Sequence, residues 1–514
     1  MKHVLLAAAL IAATMVPAMA QDAPREVAPA PEERFVLPLL RQAAEAEQRG
    51  NAEGGLAFAE EAIAQLPTAT PFRAWINCLY GVRQIGRDTA KARPAIEECR
   101  TVLPSQPMAK MAYGRLLIAD GKSEPGFRLM IEAIRSDPRW VERCDTSATG
   151  DIRTQLRVMS YDNTLDDVRA ELIEALVATA CGSEDPAFYS GLMREVIARR
   201  IARGEIEKAR GAIPAVLDPD DVLKMLVDRR YAPIWGDIER WTGGNLEALR
   251  AAFVHKVRQS HDARPSIASA TRLAYALLVT GGRDEGIAVL ARALADPALA
   301  TEGLYDEGTA AVRLADMRNG GGEAREAVVT AALRKLLADG SPAVTPSLWN
   351  TVPNLARWMI IYGKPGEALA LLDRYVPAGT NLDSPAARGY FAALRGCAQL
   401  RGGDAGGQRV LHDVIRDYAA NKGAVRIAAT CGTDHAALRE NILALMEDEQ
   451  ERSDLLLDLV RIRLLGANGR TVTSYEHAAF VSLLAEPAFA NRLDALARDP
   501  GPGYRAALSR WRTR

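Results

Sequence analysis

Side chains that could perform catalysis or bind a metal are few in this 514-residue sequence, and they are widely spaced. The phosphate-loop pattern G-x-x-x-x-G-K-[ST], the zinc pattern H-E-x-x-H and the nucleophile pattern G-x-S-x-G are all absent. His255 and His261 are six residues apart, which does not place two ligands on one face of a helix. No C-x-x-C pair occurs. The sequence therefore predicts no catalytic residues, no metal site, no cofactor and no enzymatic activity.

One segment, LVDRRYAPIWGDIERW, concentrates Tyr, Trp and Arg, the residue types that dominate binding hot spots. Its members are Arg229, Arg230, Tyr231, Trp235, Arg240 and Trp241. Aromatic residues make up only 6% of the chain, so this concentration is not background. Two interpretations stay open. Tyr231 and Trp235, four residues apart, pack on one helix face as core, or the segment is a patch that contacts a partner.

The first twenty residues have the pattern of a secretory signal peptide. Lys2 precedes an apolar run from Val4 to Val16, and an A-M-A ending follows, which predicts cleavage between Ala20 and Gln21. This run is too short to span a bilayer, and no later run approaches 18 apolar residues. We therefore expect a periplasmic or secreted chain with no transmembrane segment in its mature form.

Charge and composition limit the possible partners. The formal net charge is -1 and the sequence pI is about 6.6, whereas a nucleic-acid binder normally has a clear basic excess, so we expect no nucleic-acid partner. Residues 21–34 are rich in Pro, Ala and charge, which predicts a flexible leader without regular structure. Residues 501–514 carry four arginines and are interpreted as a basic tail with a solvated final helix.

The six cysteines are even in number, which in an exported chain indicates disulfides. Neighbours in sequence form three pairs whose separations suit links within or between antiparallel helix pairs. The predicted pairs are Cys78–Cys99, Cys144–Cys181 and Cys397–Cys431. Six cysteines allow 15 connectivities. The alternative is that several of them are free thiols buried in the core.

Helical periodicity continues almost without interruption from residue 36, and strand-like alternation is nearly absent, so the predicted fold class is all-α. Pro104 and Pro138 are 34 residues apart, and each ends a helix-like run. Between them, Gly121 provides a turn, and the small residues Gly114 and Gly126 are placed to let two antiparallel helices approach closely.

This pattern resembles the tetratricopeptide repeat, a 34-residue helix–turn–helix unit. Similar sets of small residues and turn glycines recur at Ala43, Gly50 and Gly55, at Ala274, Gly281 and Gly286, and at Ala356, Gly363 and Ala368. The Trp and Tyr typical of the first helix of the repeat are mostly replaced by Leu, Ile and Ala. The resemblance covers about half of the chain and implies a superhelical solenoid of helix hairpins. Generic stacks of α-hairpins remain the alternative.

The predicted organisation is a signal peptide (1–20), a leader (21–34), N-terminal repeats (35–140), a middle helical block (141–262), a C-terminal repeat block (263–500) and the tail (501–514). The resemblance implies a non-catalytic scaffold that binds a protein or peptide in the bacterial cell envelope, in assembly, secretion or polysaccharide export. The alternative is an enzyme that acts on cell-wall glycan with a helical superstructure. That enzyme would need a deep pocket lined by two carboxylates about 5–10 Å apart.

Overall fold

A computed structural model describes residues 27–48, 52–85, 88–136, 163–180, 185–263, 265–296, 346–361, 363–376, 385–419, 421–465 and 475–509, with a few single residues between them. All regular elements in these ranges are helices, accompanied by one isolated antiparallel bridge between Asp228 and Ala497. No helix within the described ranges is long and apolar enough to cross a membrane. The predicted signal peptide lies outside the described residues.

The chain divides into two compact units, Met1–Gly182 and Ser183–Arg514. The boundary lies inside the predicted middle block 141–262, so the units differ from the three predicted blocks. Unit 1 contains the helices α1 (Leu37–Gln48), α2 (Ala52–Gln65), α3 (Pro71–Gln84), α4 (Thr89–Val102), α5 (Pro107–Ala119), α6 (Ser123–Ser136) and α7 (Asp166–Ala178). Helices α1 and α2, α3 and α4, and α5 and α6 pack as successive pairs.

The pair α5–α6 confirms the close approach predicted at two glycines. A Cβ added to Gly114 would lie 2.6 Å from the carbonyl oxygen of Gly126, and a Cβ on Gly126 would lie 2.5 Å from that of Gly114. Gly121 has φ +77°, the left-handed conformation that ends α5. The small residues are therefore required by backbone contact between the two helices.

A disulfide and an ion pair join α3 to α4. Cys78 and Cys99 are bonded, with their Cα atoms 5.5 Å apart, and both side chains are buried. Nearby, the Arg73 guanidinium contacts the Glu98 carboxylate at 2.8 Å and also donates to carbonyls at the end of α2. This part of unit 1 is thus held by covalent, ionic and apolar contacts together.

Part of the predicted leader has regular structure. Pro31–Val36 form a 3-10 helix in which Pro31 takes the first position and the Glu33 carboxylate accepts the backbone N–H of Ala30. Val27 is fully buried in the core formed by α3, α4 and α5. The leader is more ordered than predicted because it contains apolar side chains that pack into the core. The composition of a segment does not show which of its residues become buried.

Unit 2 contains seventeen α-helices in the described ranges. They are α8 (Pro186–Ala202), α9 (Ile206–Ala212), α10 (Pro219–Val227), α11 (Trp235–Thr242), α12 (Glu247–Ala263), α13 (Ile267–Thr280), α14 (Arg283–Ala295), α15 (Pro346–Ile361), α16 (Pro365–Tyr375), α17 (Pro385–Arg401), α18 (Gly406–Asp417), α19 (Lys422–Cys431), α20 (His435–Glu447), α21 (Arg452–Leu465), α22 (Tyr475–Leu484), α23 (Pro487–Leu496) and α24 (Pro502–Ser509). Most pack on the next helix in sequence.

Small residues again mark the close helix pairs of unit 2. A Cβ on Gly286 would lie 3.2 Å from the carbonyl oxygen of Ala274, and one on Gly407 would lie 2.6 Å from that of Gly396. The predicted disulfide between Cys397 and Cys431 joins α17 to α19 inside an apolar core. Cys144 and Cys181, the third predicted pair, lie outside the described residues.

One set of contacts in unit 2 brings together helices that are far apart in the sequence. Helix α21 packs against α10, and α24 packs against α21. In a linear solenoid each repeat contacts only adjacent repeats. Residues 449–465 and 487–509 instead return to residues 186–242, and we call this contact the seam. Unit 2 is therefore not a purely linear stack.

Candidate functional site

The predicted Tyr–Trp–Arg cluster lies largely inside unit 2. Tyr231 is fully buried, and its hydroxyl donates to the carbonyl of Arg194 at 3.2 Å. The indole N–H of Trp235 donates to the carbonyl of Met225 at 2.9 Å, and the Arg498 guanidinium lies 3.7 Å from the centre of the Trp235 ring. For these two aromatic residues the structure favours the core interpretation.

The arginines of the cluster divide into two groups. Arg229 donates to the carbonyls of Asp494 and Ala497 at 3.0 and 3.2 Å. Arg230 donates to the carbonyl of Glu449 at 3.0 Å. Arg229 and Arg230 thus bind the returning C-terminal segment. Arg240 is exposed and pairs with Asp237 on the same helix, and Trp241 is half-buried.

Asp228 is the polar centre of the seam. Its carboxylate is fully buried and accepts from Ser453 Oγ at 2.7 Å, from Arg230 Nε at 2.8 Å and from Arg452 Nε at 3.2 Å. It also accepts the backbone N–H of Arg230, which caps the 3-10 helix Arg229–Ile234. Ser453 in turn accepts from Arg230 Nη2. One buried charge is therefore satisfied by donors from both sides of the seam.

A second cluster of charges lies beside it, and we call it the seam network. Lys224 Nζ contacts Asp454 Oδ1 at 2.6 Å and Asp221 Oδ1 at 3.1 Å. Arg194 Nε contacts Asp221 Oδ1 at 3.1 Å, and Arg194 Nη2 contacts Asp454 Oδ2 at 3.5 Å. Arg461 extends the chain of contacts to Asp220 and Asp458. Three helices, α8, α10 and α21, are joined by these ion pairs.

The three cations of the seam network reach solvent less than the two carboxylates that α21 contributes. The side chains of Arg194, Lys224 and Arg461 are 8%, 14% and 12% exposed, whereas those of Asp454 and Asp458 are 47% and 67% exposed. Burial nevertheless raises the pKa of Asp458.

The electrostatics separate two carboxylates of α21. Burial acts to raise the pKa of Asp454, but Arg194 and Lys224 outweigh it and hold that pKa below the ordinary value. For Asp458 burial prevails, and Asp220 and Asp454 add to it, so its pKa is raised. Burial also raises the pKa of Tyr275 well above the ordinary value of 10.0, and the carboxylates of Asp218, Asp220 and Asp221 raise it further. The surface thus holds an ionised carboxylate beside one that is easier to protonate.

A shallow cleft lies between α20 and α23. Its volume is about 600 Å³, and its lining is Arg439, Leu443, Ala444, Glu447, Glu486, Ala488, Phe489 and Arg492. The ion pair Arg439–Glu486 (3.3 Å) closes one end, and Arg492 pairs with Glu447 at the other. An apolar floor with a charged rim is the usual anatomy of a protein interaction surface.

Several residues of the seam network were not predicted as functional from the sequence. Asp218, Asp220 and Asp221 form an acidic run beside the predicted cluster, and this run was the one local signal available. Asp454 had no such signal, because its cationic partners, Arg194 and Lys224, lie more than 200 residues away. Within the part of the chain that the structure describes, no group of three or more His, Cys, Asp or Glu side chains is arranged to hold a metal ion.

No protein-family model matches this chain, and no curated protein matches its sequence.

Proposed function

We propose that this chain is an exported, non-catalytic scaffold of the tetratricopeptide-repeat type that binds a protein or peptide partner in the bacterial cell envelope. The observation that carries the proposal is the recurrence of helix pairs in close backbone contact at small residues, at Gly114–Gly126, Ala274–Gly286 and Gly396–Gly407. Stacked pairs of this kind present extended surfaces for binding. Two buried disulfides support export, because disulfides persist in oxidising compartments.

The cleft between α20 and α23 is the surface on which we place the partner. Its floor offers Leu443 and the exposed methyl groups of Ala444 and Ala488, and its rim offers two arginines that are each 46% exposed. Arginine and apolar side chains together favour a peptide or loop with an apolar anchor and polar flanks. The near-zero net charge of the chain agrees with recognition by shape and apolar contact.

Affinity purification of the full chain from the exported fraction, with chemical cross-linking and mass spectrometry, tests the proposal. We expect a reproducible protein partner. Ala444→Glu introduces a charge on the cleft floor and is expected to remove that partner. Ala251→Glu is the matched control, because Ala251 is also exposed on a helix but lies outside the cleft. No partner with the wild-type chain would contradict the scaffold, and a partner retained by Ala444→Glu would contradict the cleft.

A glycan-acting enzyme is the second candidate, and one observation favours it. Asp454 and Asp458 lie one turn apart on α21, both accessible, with pKa values shifted in opposite directions. An acid paired with an ionised carboxylate is the chemical requirement of glycoside hydrolysis. The test is incubation of wild-type, Asp454→Asn and Asp458→Asn chains with purified cell-wall glycan. Cleavage by the wild type alone favours this candidate, and no cleavage by the wild type rejects it.

A further inference from the structure

Val27 occupies a pocket between three helices of unit 1. Its side chain is fully buried, whereas the next residue, Ala28, is exposed. The surrounding core is formed by α3, α4 and α5 and includes the disulfide between Cys78 and Cys99. Four of its buried members are alanines, which are Ala74, Ala92, Ala109 and Ala112. These short side chains leave room between the helices, and the valine side chain fills it.

The hydrogen bonds of residues 27–30 are local, within the part of the chain that the structure describes. The N–H of Ala30 donates to the Glu33 carboxylate, and the carbonyl of Ala30 accepts the N–H of Glu33, both at 2.9 Å. Both bonds close the start of the 3-10 helix Pro31–Val36, and neither reaches α3, α4 or α5. The burial of the Val27 side chain therefore accounts for the attachment of this segment to the pocket.

A second anchor holds the chain just downstream. Val36 is fully buried in a separate core, which lies between the end of α2 and the start of α3. Proline follows both Ala28 and Ala30 and restricts their backbone to extended conformations. Ala30 has φ -58° and ψ 155°, close to polyproline II. The end of the segment that carries Val27 can thus leave its pocket while Val36 stays in place.

Partly buried side chains of suitable chemistry pack against the core that holds Val27. They include Trp75, Met108 and Tyr113. Grooves that bind polyproline II segments are lined with aromatic side chains, and such segments lose little conformational entropy when they bind. The pocket therefore fits an extended, proline-containing peptide with one small branched aliphatic side chain as its anchor.

We propose that this pocket is a peptide-binding site that the leader occupies in cis, and that a partner segment with a small aliphatic anchor beside proline displaces Val27. The pocket belongs to unit 1 and the α20–α23 cleft to unit 2, so the proposal goes beyond the proposed function and does not depend on it. Full burial of a valine side chain favours the docked leader by about tenfold or more. Because a partner binds only the undocked state, docking weakens its apparent affinity by the same factor.

Fluorescence anisotropy tests the proposal with the full chain and a labelled, N-acetylated peptide of residues 27–34, VAPAPEER. Val27→Asp removes the anchor of the leader, and this variant is expected to bind the peptide at least about tenfold more tightly than the wild type. Ala28→Asp is the matched control, because it places the same charge on the exposed neighbour and is expected to bind as the wild type does. The same peptide carrying Val27→Asp is expected not to bind.

Urea unfolding of Val27→Ala and Val27→Asp separates a displaceable leader from a permanent part of the core. A leader that can leave its pocket limits the loss of stability to that of undocking, so the two variants are expected to unfold at similar urea concentrations. In a permanent core the aspartate would be a buried, unpaired charge and would cost far more than the alanine. A Val27→Asp chain much less stable than Val27→Ala, or one that binds the peptide no more tightly than the wild type, overturns the proposal.

Discussion

Replacement of Asp228 by asparagine tests whether one buried carboxylate holds the two ends of unit 2 together. Asp228 is fully buried, and the guanidiniums of Arg230 and Arg452 that face it are 22% and 13% exposed. In Asp228→Asn both cations lose their counter-charge, and the amide nitrogen adds a donor where an acceptor is required. Breaking a buried pair costs about 3–5 kcal/mol. The oxygen that asparagine keeps and the partial exposure of Arg230 favour the lower end, about 3 kcal/mol.

Urea unfolding followed by tryptophan fluorescence and circular dichroism measures this loss, and urea is preferred because guanidinium chloride screens ion pairs. Asp237→Asn is the matched control. Asp237 pairs with Arg210 and Arg240, whose side chains are 41% and 76% exposed, so the expected cost is below about 1 kcal/mol. An Asp228→Asn chain no less stable than the Asp237→Asn chain would show that the seam does not depend on this carboxylate.

Three further predictions concern other parts of the fold. Gly126→Ala places a Cβ 2.5 Å from a backbone oxygen and is expected to destabilise unit 1 by about 1–3 kcal/mol in urea unfolding, whereas Gly211→Ala, with nothing within 4 Å, is expected to be neutral or stabilising. Replacing Cys397 and Cys431 together by alanine releases a loop closed at a separation of 34 residues, and calorimetry is expected to show a loss of about 3–4 kcal/mol. Burial and a hydrogen bond to Glu60 raise the pKa of Tyr80 to about 12, so Tyr80 is one of several late-titrating tyrosines, and Tyr80→Phe is expected to reduce the late part of the alkaline titration at the tyrosinate band by one tyrosine. An unchanged stability in the first two variants, or tyrosine ionisation complete near pH 10, would contradict these assignments.

Local features of the fold could be predicted from the sequence because their causes are local. Helical periodicity predicts the helices, and the left-handed turn at Gly121 follows from the one residue type that adopts it without strain. The close approach of Gly114 and Gly126 and the bond between Cys78 and Cys99 each involve residues within one helix pair. At that distance in sequence, spacing still constrains geometry.

The seam could not be predicted in this way. The concentration of Tyr231 and Trp235 was visible, but its meaning depended on which surface covers it, and that surface begins more than 200 residues later. Nothing in the sequence around Arg498 and Asp494 indicates that they contact residues 226–239. Charge pairs between distant segments leave no periodic pattern, so their partners can be found only in the folded chain.

The return of residues 449–465 and 487–509 to residues 186–242 sets the order of events when the chain is synthesised from its N-terminus. Asp228 emerges long before Ser453 and Arg452, the donors that satisfy it from the other side of the seam. Until Arg452 and Ser453 have been synthesised, the carboxylate of Asp228, which is fully buried in the folded chain, stays hydrated. Helix α10 is also not yet covered by α21. Closure of unit 2 is consequently a late, long-range step with a high contact order. A nascent chain that stops short of α21 presents an acidic, incompletely covered surface to whatever machinery handles it.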